Sequence, residues 1–264
     1  MSKNLPYRLL GPEDPPAVTV ERLDGASALF LTCEHAGRRI PSRLGDLGLP
    51  EAELNRHIGW DIGVAGVARG VSEKLDAAVV MQTYSRLVID CNRKPSRYDS
   101  IATISEHTEV PGNRDLPSEQ VEARLREVFN PYHETIAAEL DRRRAAGRPT
   151  LLLALHSFTP VYKGQSRPWH IGLLYNRDAR VARVLMDLMT RDPGLTVGDN
   201  EPYHITDDGD YTIPVHGEQR GLLSIEIEIR QDLIESEAGQ RAWATRLADW
   251  MGEAIERVRA EGLL

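Results

Sequence analysis

Apolar positions along the chain gather into short runs, some continuous and some alternating with polar residues, separated by stretches with helical spacing. Ala28–Cys33, Ala77–Met81, Leu87–Cys91, Thr150–Leu155, His170–Tyr175 and Leu222–Ile229 are such runs, and they read as strands. Trp60–Leu75 sets Ile62, Ala65, Val67, Ala68, Val71 and Leu75 at near-helical intervals, which predicts an amphipathic helix. A longer helix opens at Pro117-Ser118-Glu119 and runs to about Ala146. Its buried stripe is Val121, Leu125, Val128, Tyr132, Ile136 and Leu140, and Gly147 and Pro149 end it. Two more helices are predicted, from Asp178 to about Arg191 and from Ser236 to about Glu261. Strands and helices alternate, and several apolar runs are continuous. That pattern predicts an α/β layered sandwich with a central mixed sheet and helices on both faces. One domain spans residues 1–264, with the Pro-rich residues 1–20 as an extended arm.

Two polar stretches, residues 92–117 and 199–217, carry no strong periodicity. Structureless loops of that length are uncommon in compact domains, so both are expected to be functional. In open α/β sheets, ligands collect beyond the carboxyl ends of the strands. Glu34-His35, Asn92-Arg93, His156-Ser157 and Asn176-Arg177 stand at such ends.

Composition narrows the function. The 264 residues include 32 Lys+Arg and 40 Asp+Glu, a net charge of -8, which argues against nucleic acid as the main partner. The N-terminus lacks the apolar segment of a secretory signal, and no apolar run approaches the roughly 20 residues that span a bilayer, so a soluble, cytoplasmic protein is expected. Two cysteines, Cys33 and Cys91, lie inside apolar runs and read as buried, reduced thiols. There is no phosphate-cradling Gly-rich loop and no G-x-S-x-G elbow.

Three clusters can carry chemistry. His35 and His156 each follow an apolar strand, where an imidazole nitrogen can reach a shared metal. Either alone is readily a structural histidine. Asp61, at the start of the Trp60–Leu75 helix, adds a carboxylate from the first turn, giving two His and one carboxylate with an open position, the usual hydrolytic zinc site. His57, four residues earlier, is the rival ligand. In Leu223–Arg230, a period of two puts Glu226 and Glu228 on one face and Ile225, Ile227 and Ile229 on the other. Carboxylates buried on so apolar a strand need a metal, an arginine or a proton, and one can serve as a general base. Arg86, Asp90 and Asn92 share the face of the predicted Leu87–Cys91 strand, with Arg93 just past its end. An Arg86–Asp90 ion pair and a clamp for a substrate carboxylate are both open readings.

Taken together, the segments Cys33-Glu34-His35-Ala36-Gly37, Trp60-Asp61, Arg86 with Asp90-Cys91-Asn92-Arg93, Leu155-His156-Ser157-Phe158, Tyr211-Thr212 with His216, and Glu228-Ile229-Arg230 resemble the N-formylglutamate amidohydrolases in kind and order. The resemblance runs from about residue 27 to 235. It implies an α/β domain similar to zinc carboxypeptidases and aspartoacylases, one Zn2+ ion, and hydrolysis of a small N-acyl, N-formyl-type amino acid. It further implies that His35, Asp61 and His156 are the metal ligands and Glu228 is the base. On the substrate side it implies Arg86, Asn92 and Arg93, with Tyr211, Thr212 and His216 in the loop that closes over the site. The chain departs from the family where Glu34-His35-Ala36-Gly37 replaces a typical Pro-His-Ser-Gly and where Arg230-Gln231 replaces Asn-Arg. Another zinc deacylase or carboxypeptidase-like hydrolase, or a silent metabolite-binding protein of the same fold, remains an alternative.

Overall fold

Odd- and even-numbered strand residues bury against different helix layers, and this division organises the whole molecule. The computed structural model describes residues 7–264; the first part of the expected N-terminal arm lies outside the described residues. Seven strands form one mixed sheet: β1 (Val18–Glu21), β2 (Leu29–Cys33), β3 (Ala78–Gln82), β4 (Leu151–Phe158), β5 (Ile171–Leu174), β6 (Val197–Asp199) and β7 (Leu223–Arg230). Their spatial order is β1-β3-β2-β4-β7-β5-β6. The central four, β3-β2-β4-β7, are mutually parallel, while β1 and β5 run antiparallel to β3 and β7.

Odd residues such as Leu31, Val79, Leu153 and Ile227 pack beneath α1 (Val64–Leu75), α3 (Arg180–Met189) and α4 (Glu237–Ala260). Even residues such as Phe30, Val80 and Leu152 pack against α2, which runs from Ser118 to Ala145 through a π-helical turn at Leu125–Phe129. Each fully buried aliphatic side chain of this kind contributes about 1.5–3 kcal/mol relative to exposure. Towards the carboxyl ends of the parallel strands, the even face changes character: Thr32, His156, Glu226 and Glu228 are buried there instead of hydrocarbon. The layered α/β sandwich with a mixed central sheet is therefore as expected. No helix among the described residues is long and apolar enough to cross a membrane.

Three local expectations are corrected. Leu87–Cys91 is no strand; it is a compact buried turn, with Val88 N–H donating to Ser85 and Asp90 N–H to Ser100. The outer edge of β3 is already occupied, because Val18–Glu21 pairs there; that segment makes an edge strand where an extended arm was expected to end. The Trp60–Leu75 helix begins only at Val64, so Asp61 lies in the preceding turn and not in a helical first turn. The 92–117 stretch holds a short hairpin, Ile104–Ser105 with Thr108–Glu109, and residues 161–166 form another.

Candidate active site

Three short connections bring the site together. Beyond β2 the chain turns sharply through His35 to Gly37, where a Cβ would stand 2.0 Å from the Thr83 carbonyl oxygen, so only glycine fits. Asp61 N–H donates to the His35 carbonyl at 2.9 Å, which holds the two loops together by backbone. Two residues on, Gly63 adopts φ +79 as the N-cap of α1, against the Ile234 carbonyl. His156 belongs to β4, and in the parallel register it lies directly beside Glu228 on β7.

His35, Asp61 and His156 meet here, each offering one ligand atom, and those atoms lie within 4.8 Å of one another. The Nδ1 of His156 is 2.9 Å from Asp61 Oδ2, and the Nδ1 of His35 is 3.6 Å from the same oxygen. His35 Nδ1 is buried without a hydrogen-bond partner, while its Nε2 donates to Asp90 Oδ1 at 2.7 Å. That second bond fixes the tautomer and leaves a lone pair on Nδ1 facing Asp61, the arrangement of a metal-ligating histidine oriented by an outer carboxylate. The donor set fits a divalent ion of the zinc type. His57 stands apart from this group, 3.4 Å from Glu106.

Negative charge is concentrated around the cluster. Glu34, Asp61, Asp90, Glu226 and Glu228 are all buried. Asp90 is bound by Arg86 through both Nε (3.1 Å) and Nη2 (2.6 Å) and by Asn92 N–H. Glu34 accepts from Thr212 Oγ1 (2.7 Å) and Tyr132 Oη (3.3 Å), and its Oε2 lies 3.0 Å from His156 Nε2, out of line for a hydrogen bond. Burial alone would depress the His156 imidazolium, but Glu226, Asp61 and Glu34 outweigh it and raise its pKa well above the ordinary value. Burial pushes Glu226 up to about 7 and Glu228 well above the usual carboxylate range, Asp210 adding to the first and Asp61 to the second. Asp61 goes the other way: burial opposes its ionisation, yet the two imidazoles hold it well below the usual range. Uncompensated buried carboxylates are costly, and a cation between Asp61 and the two histidines would relieve them. The thiols take no part: both cysteines are unpaired and buried, and burial raises the pKa of each.

A cavity of about 530 Å3 opens over the cluster, lined by His35, His156, Glu226, Glu228, Arg86, Asn92 and Arg93 among others. The Arg86–Asp90 ion pair is present, but formed across a turn. Asn92 uses its whole amide internally: Oδ1 accepts from Tyr211 and Thr212 N–H, and Nδ2 donates to Glu226. Arg93 Nη1 is shared by the Gly209 carbonyl and Asp210. The other expected contacts lie elsewhere. Thr212 stands behind the cluster, holding Glu34. Tyr211 and His216 line a second cavity of about 490 Å3 with Phe129, His133 and Arg220. Glu34 is the participant the residue pattern left unassigned. The signal was available, because Phe30, Thr32 and Glu34 continue one strand face at the level of His156.

Fold and site together define a three-layer α/β protein whose parallel strands deliver a buried His–Asp–His group, suited to a metal, to one sheet edge. The sequence pattern of the N-formylglutamate amidohydrolases matches residues 27–235, and the chain belongs to that family. N-formylglutamate deformylase of Pseudomonas putida is 32% identical over 143 residues, half of this chain and 52% of that protein. The deformylase of Pseudomonas aeruginosa is 32% identical over 144 residues, half of this chain and 53% of that protein. The chain thus spans about half the length of the curated relatives it matches. Gene product Atu2144 of Agrobacterium tumefaciens superposes with a TM-score of 0.92 at 38% identity, over 96% of this chain and all of that one. The N-formylglutamate amidohydrolase of Ralstonia eutropha shares the fold, with a TM-score of 0.67 at 18% identity, over 89% of this chain and 98% of that one.

Proposed function

We propose that this chain is a metal-dependent amidohydrolase that cleaves small N-acyl, N-formyl-type amino acids. The observation that carries the reading is the meeting of His35, Asp61 and His156 beside Glu228, at the floor of one cavity. In this reading the three residues hold one divalent ion, zinc by its donor set. Such an ion polarises the scissile carbonyl and lowers the pKa of water to roughly 7.

Glu228 is the general base. It lines the cavity, and its Oε2 is buried without a partner. It takes a proton from the attacking water and returns it to the nitrogen of the leaving amine, so that the acyl carbon gains hydroxyl and the amine gains hydrogen. Glu226 lies two residues earlier on the same face but is already bonded to Asn92, so it orders the wall of the site. Asp90 orients His35 from behind through its bond to Nε2, and Glu34 places a carboxylate beside His156. Arg86 and Arg93 line the substrate side with their guanidinium groups held by Asp90 and Asp210, and Asn92 pins the 211–212 backbone against the site. The protein acts in the cytoplasm, in keeping with two unpaired thiols.

The test is metal analysis of the purified protein, coupled to amine release from a panel of N-formyl, N-acetyl and dipeptide amides. Stoichiometric zinc with release from the N-formyl members is the expected outcome. Bound metal with no turnover of any amide would instead make the chain a metabolite-binding member of the fold.

A further inference from the structure

Four large apolar side chains are exposed among the described residues: Tyr98 (89%), Ile104 (58%), Val161 (51%) and Tyr203 (42%). They come from separate segments of the chain, yet three of them stand at one opening and the fourth adjoins it. Tyr98, Ile104 and Tyr203 line the cavity over the His–Asp–His group, and Val161 precedes Tyr162, which lines it too. Single exposed hydrophobes need no explanation, but a set gathered around one mouth marks a binding surface.

That rim is held rigid. The buried Arg167 guanidinium lies 4.6 Å from the Tyr162 ring centroid and 4.7 Å from that of Tyr203, and it donates to Tyr203 Oη at 2.8 Å. The stack ties the 161–166 hairpin to the segment bearing Tyr203, so a ligand meets a surface that is already ordered.

Charge around the cavity has a matching pattern. The guanidinium groups of Arg86, Arg93 and Arg97 are each engaged by protein carboxylates: Asp90, Asp210, and Asp99 with Asp208. Lys163, on the rim hairpin, has no carboxylate partner among the described residues; its ammonium lies 5.4 Å from the Tyr162 ring centroid. The free positive charge is therefore at the mouth, beside the apolar rim, and not at the floor. Volume agrees. At about 530 Å3 the cavity falls among those that take drug-sized ligands. An N-formyl amino acid has only about a dozen non-hydrogen atoms and leaves much of such a pocket empty.

We infer that the substrate extends beyond one amino acid: it is an N-acyl dipeptide whose second residue is aromatic or branched. That residue rests on Tyr98, Ile104 and Tyr203, and its terminal carboxylate is received by Lys163. The inference rests on the hydrolase reading and specifies its substrate. Water still cleaves the acyl C–N bond, with hydroxyl going to the acyl carbon and hydrogen to the nitrogen, and the products are the free carboxylic acid and the free dipeptide.

The experiment compares kcat/KM for N-formylglutamate, N-formyl-Glu-Phe and the C-terminal amide of N-formyl-Glu-Phe, on zinc-loaded protein. Burying a phenylalanine side chain predicts an advantage of about tenfold or more for N-formyl-Glu-Phe over N-formylglutamate. Amidation should remove a large part of that advantage in the wild type and little in Lys163→Ala. Tyr98→Ala should lower the ratio of the two kcat/KM values at an unchanged Tm, and this control separates lost recognition from lost folding. Equal or slower turnover of N-formyl-Glu-Phe, with N-formylglutamate hydrolysed normally, would overturn the extended substrate and leave the hydrolase reading standing. No turnover of any of the three with zinc, cobalt or manganese would remove the hydrolase reading, and this inference with it.

Discussion

Two pairs of buried histidines show how differently one side chain can be used. His35 and His156 lie 4.9 Å apart, ring to ring, at 66°, and His133 and His216 lie 5.2 Å apart, nearly parallel at 15°. All four are almost inaccessible to solvent. The first pair is surrounded by Asp61, Asp90, Glu34 and Glu226, and His35 Nδ1 and His156 Nε2 have no hydrogen-bond partner. The second pair is bonded to itself: His133 Nε2 donates to the Cys91 carbonyl, so His133 Nδ1 must accept from His216 Nε2, at 3.0 Å, and only His216 Nδ1 is left without a partner. Close carboxylates outweigh burial at His156 and raise its pKa, whereas at the second pair burial prevails over the weaker pull of Glu34 and lowers His133 to about 4 and His216 to about 3. The lesson is that burial sets only the cost of charge. The neighbours decide whether a cation is wanted.

The largest effect is expected from removing one histidine of each pair. His156→Ala should lose stoichiometric zinc by metal analysis and nearly all amide hydrolysis, while His216→Gln should keep the metal. Metal retained in the first and lost in the second would exchange the roles of the two pairs. Next in size is the base. Glu228→Gln should bind zinc normally and lose about 100- to 10,000-fold in kcat, with Glu226→Gln losing less. A larger loss in Glu226→Gln would move the base two residues along β7.

A smaller effect is expected at the outer carboxylate of the first pair. Asp90→Asn keeps the shape but weakens the hold on His35 Nε2, and competition with a chelator should show zinc affinity about 10- to 100-fold lower. Wild-type affinity in that variant would mean that the turn alone orients His35. Last comes a stability effect from the second pair. In the unfolded chain both imidazoles titrate near 6.5, but in the fold they stay neutral to about pH 4 and about pH 3. Between those limits the unfolded state binds protons that the native state excludes, so stability falls as pH falls below about 6.5. Urea midpoints at pH 7.5 and pH 5 should drop more in the wild type than in a His133→Gln/His216→Gln double variant. Equal drops would show that the pair is not held neutral.

Much of the site was legible in the residues because a strand fixes where its next residues emerge. A polar group just past a parallel strand must come out at the sheet's carboxyl edge, which placed His35 and His156, and a period of two put Glu226 and Glu228 on one face. Loops carry no such rule. Leu87–Cys91 is as apolar and β-branched as a strand, and nothing local reveals that Val18–Glu21 already occupies the edge it would join. Tyr211, Thr212 and His216 are close in sequence, yet Thr212 turns to a buried carboxylate while the other two face a second cavity. Asn92 grips the backbone of 211–212, and a π-helical turn follows at Ile213–Gly217.

Alternation and strand ends are local properties of the chain, so the layered α/β architecture, the face that carries the polar residues and the candidate metal-holding side chains could be read from the residues alone. Packing between distant segments is what puts Asp61 in a turn tied to the His35 backbone, Glu34 beside His156, and His133 and His216 together in a neutral pair apart from the cluster. Those outcomes depend on which distant groups become neighbours in a medium where unpaired charge is costly, and no single segment of the chain carries that information.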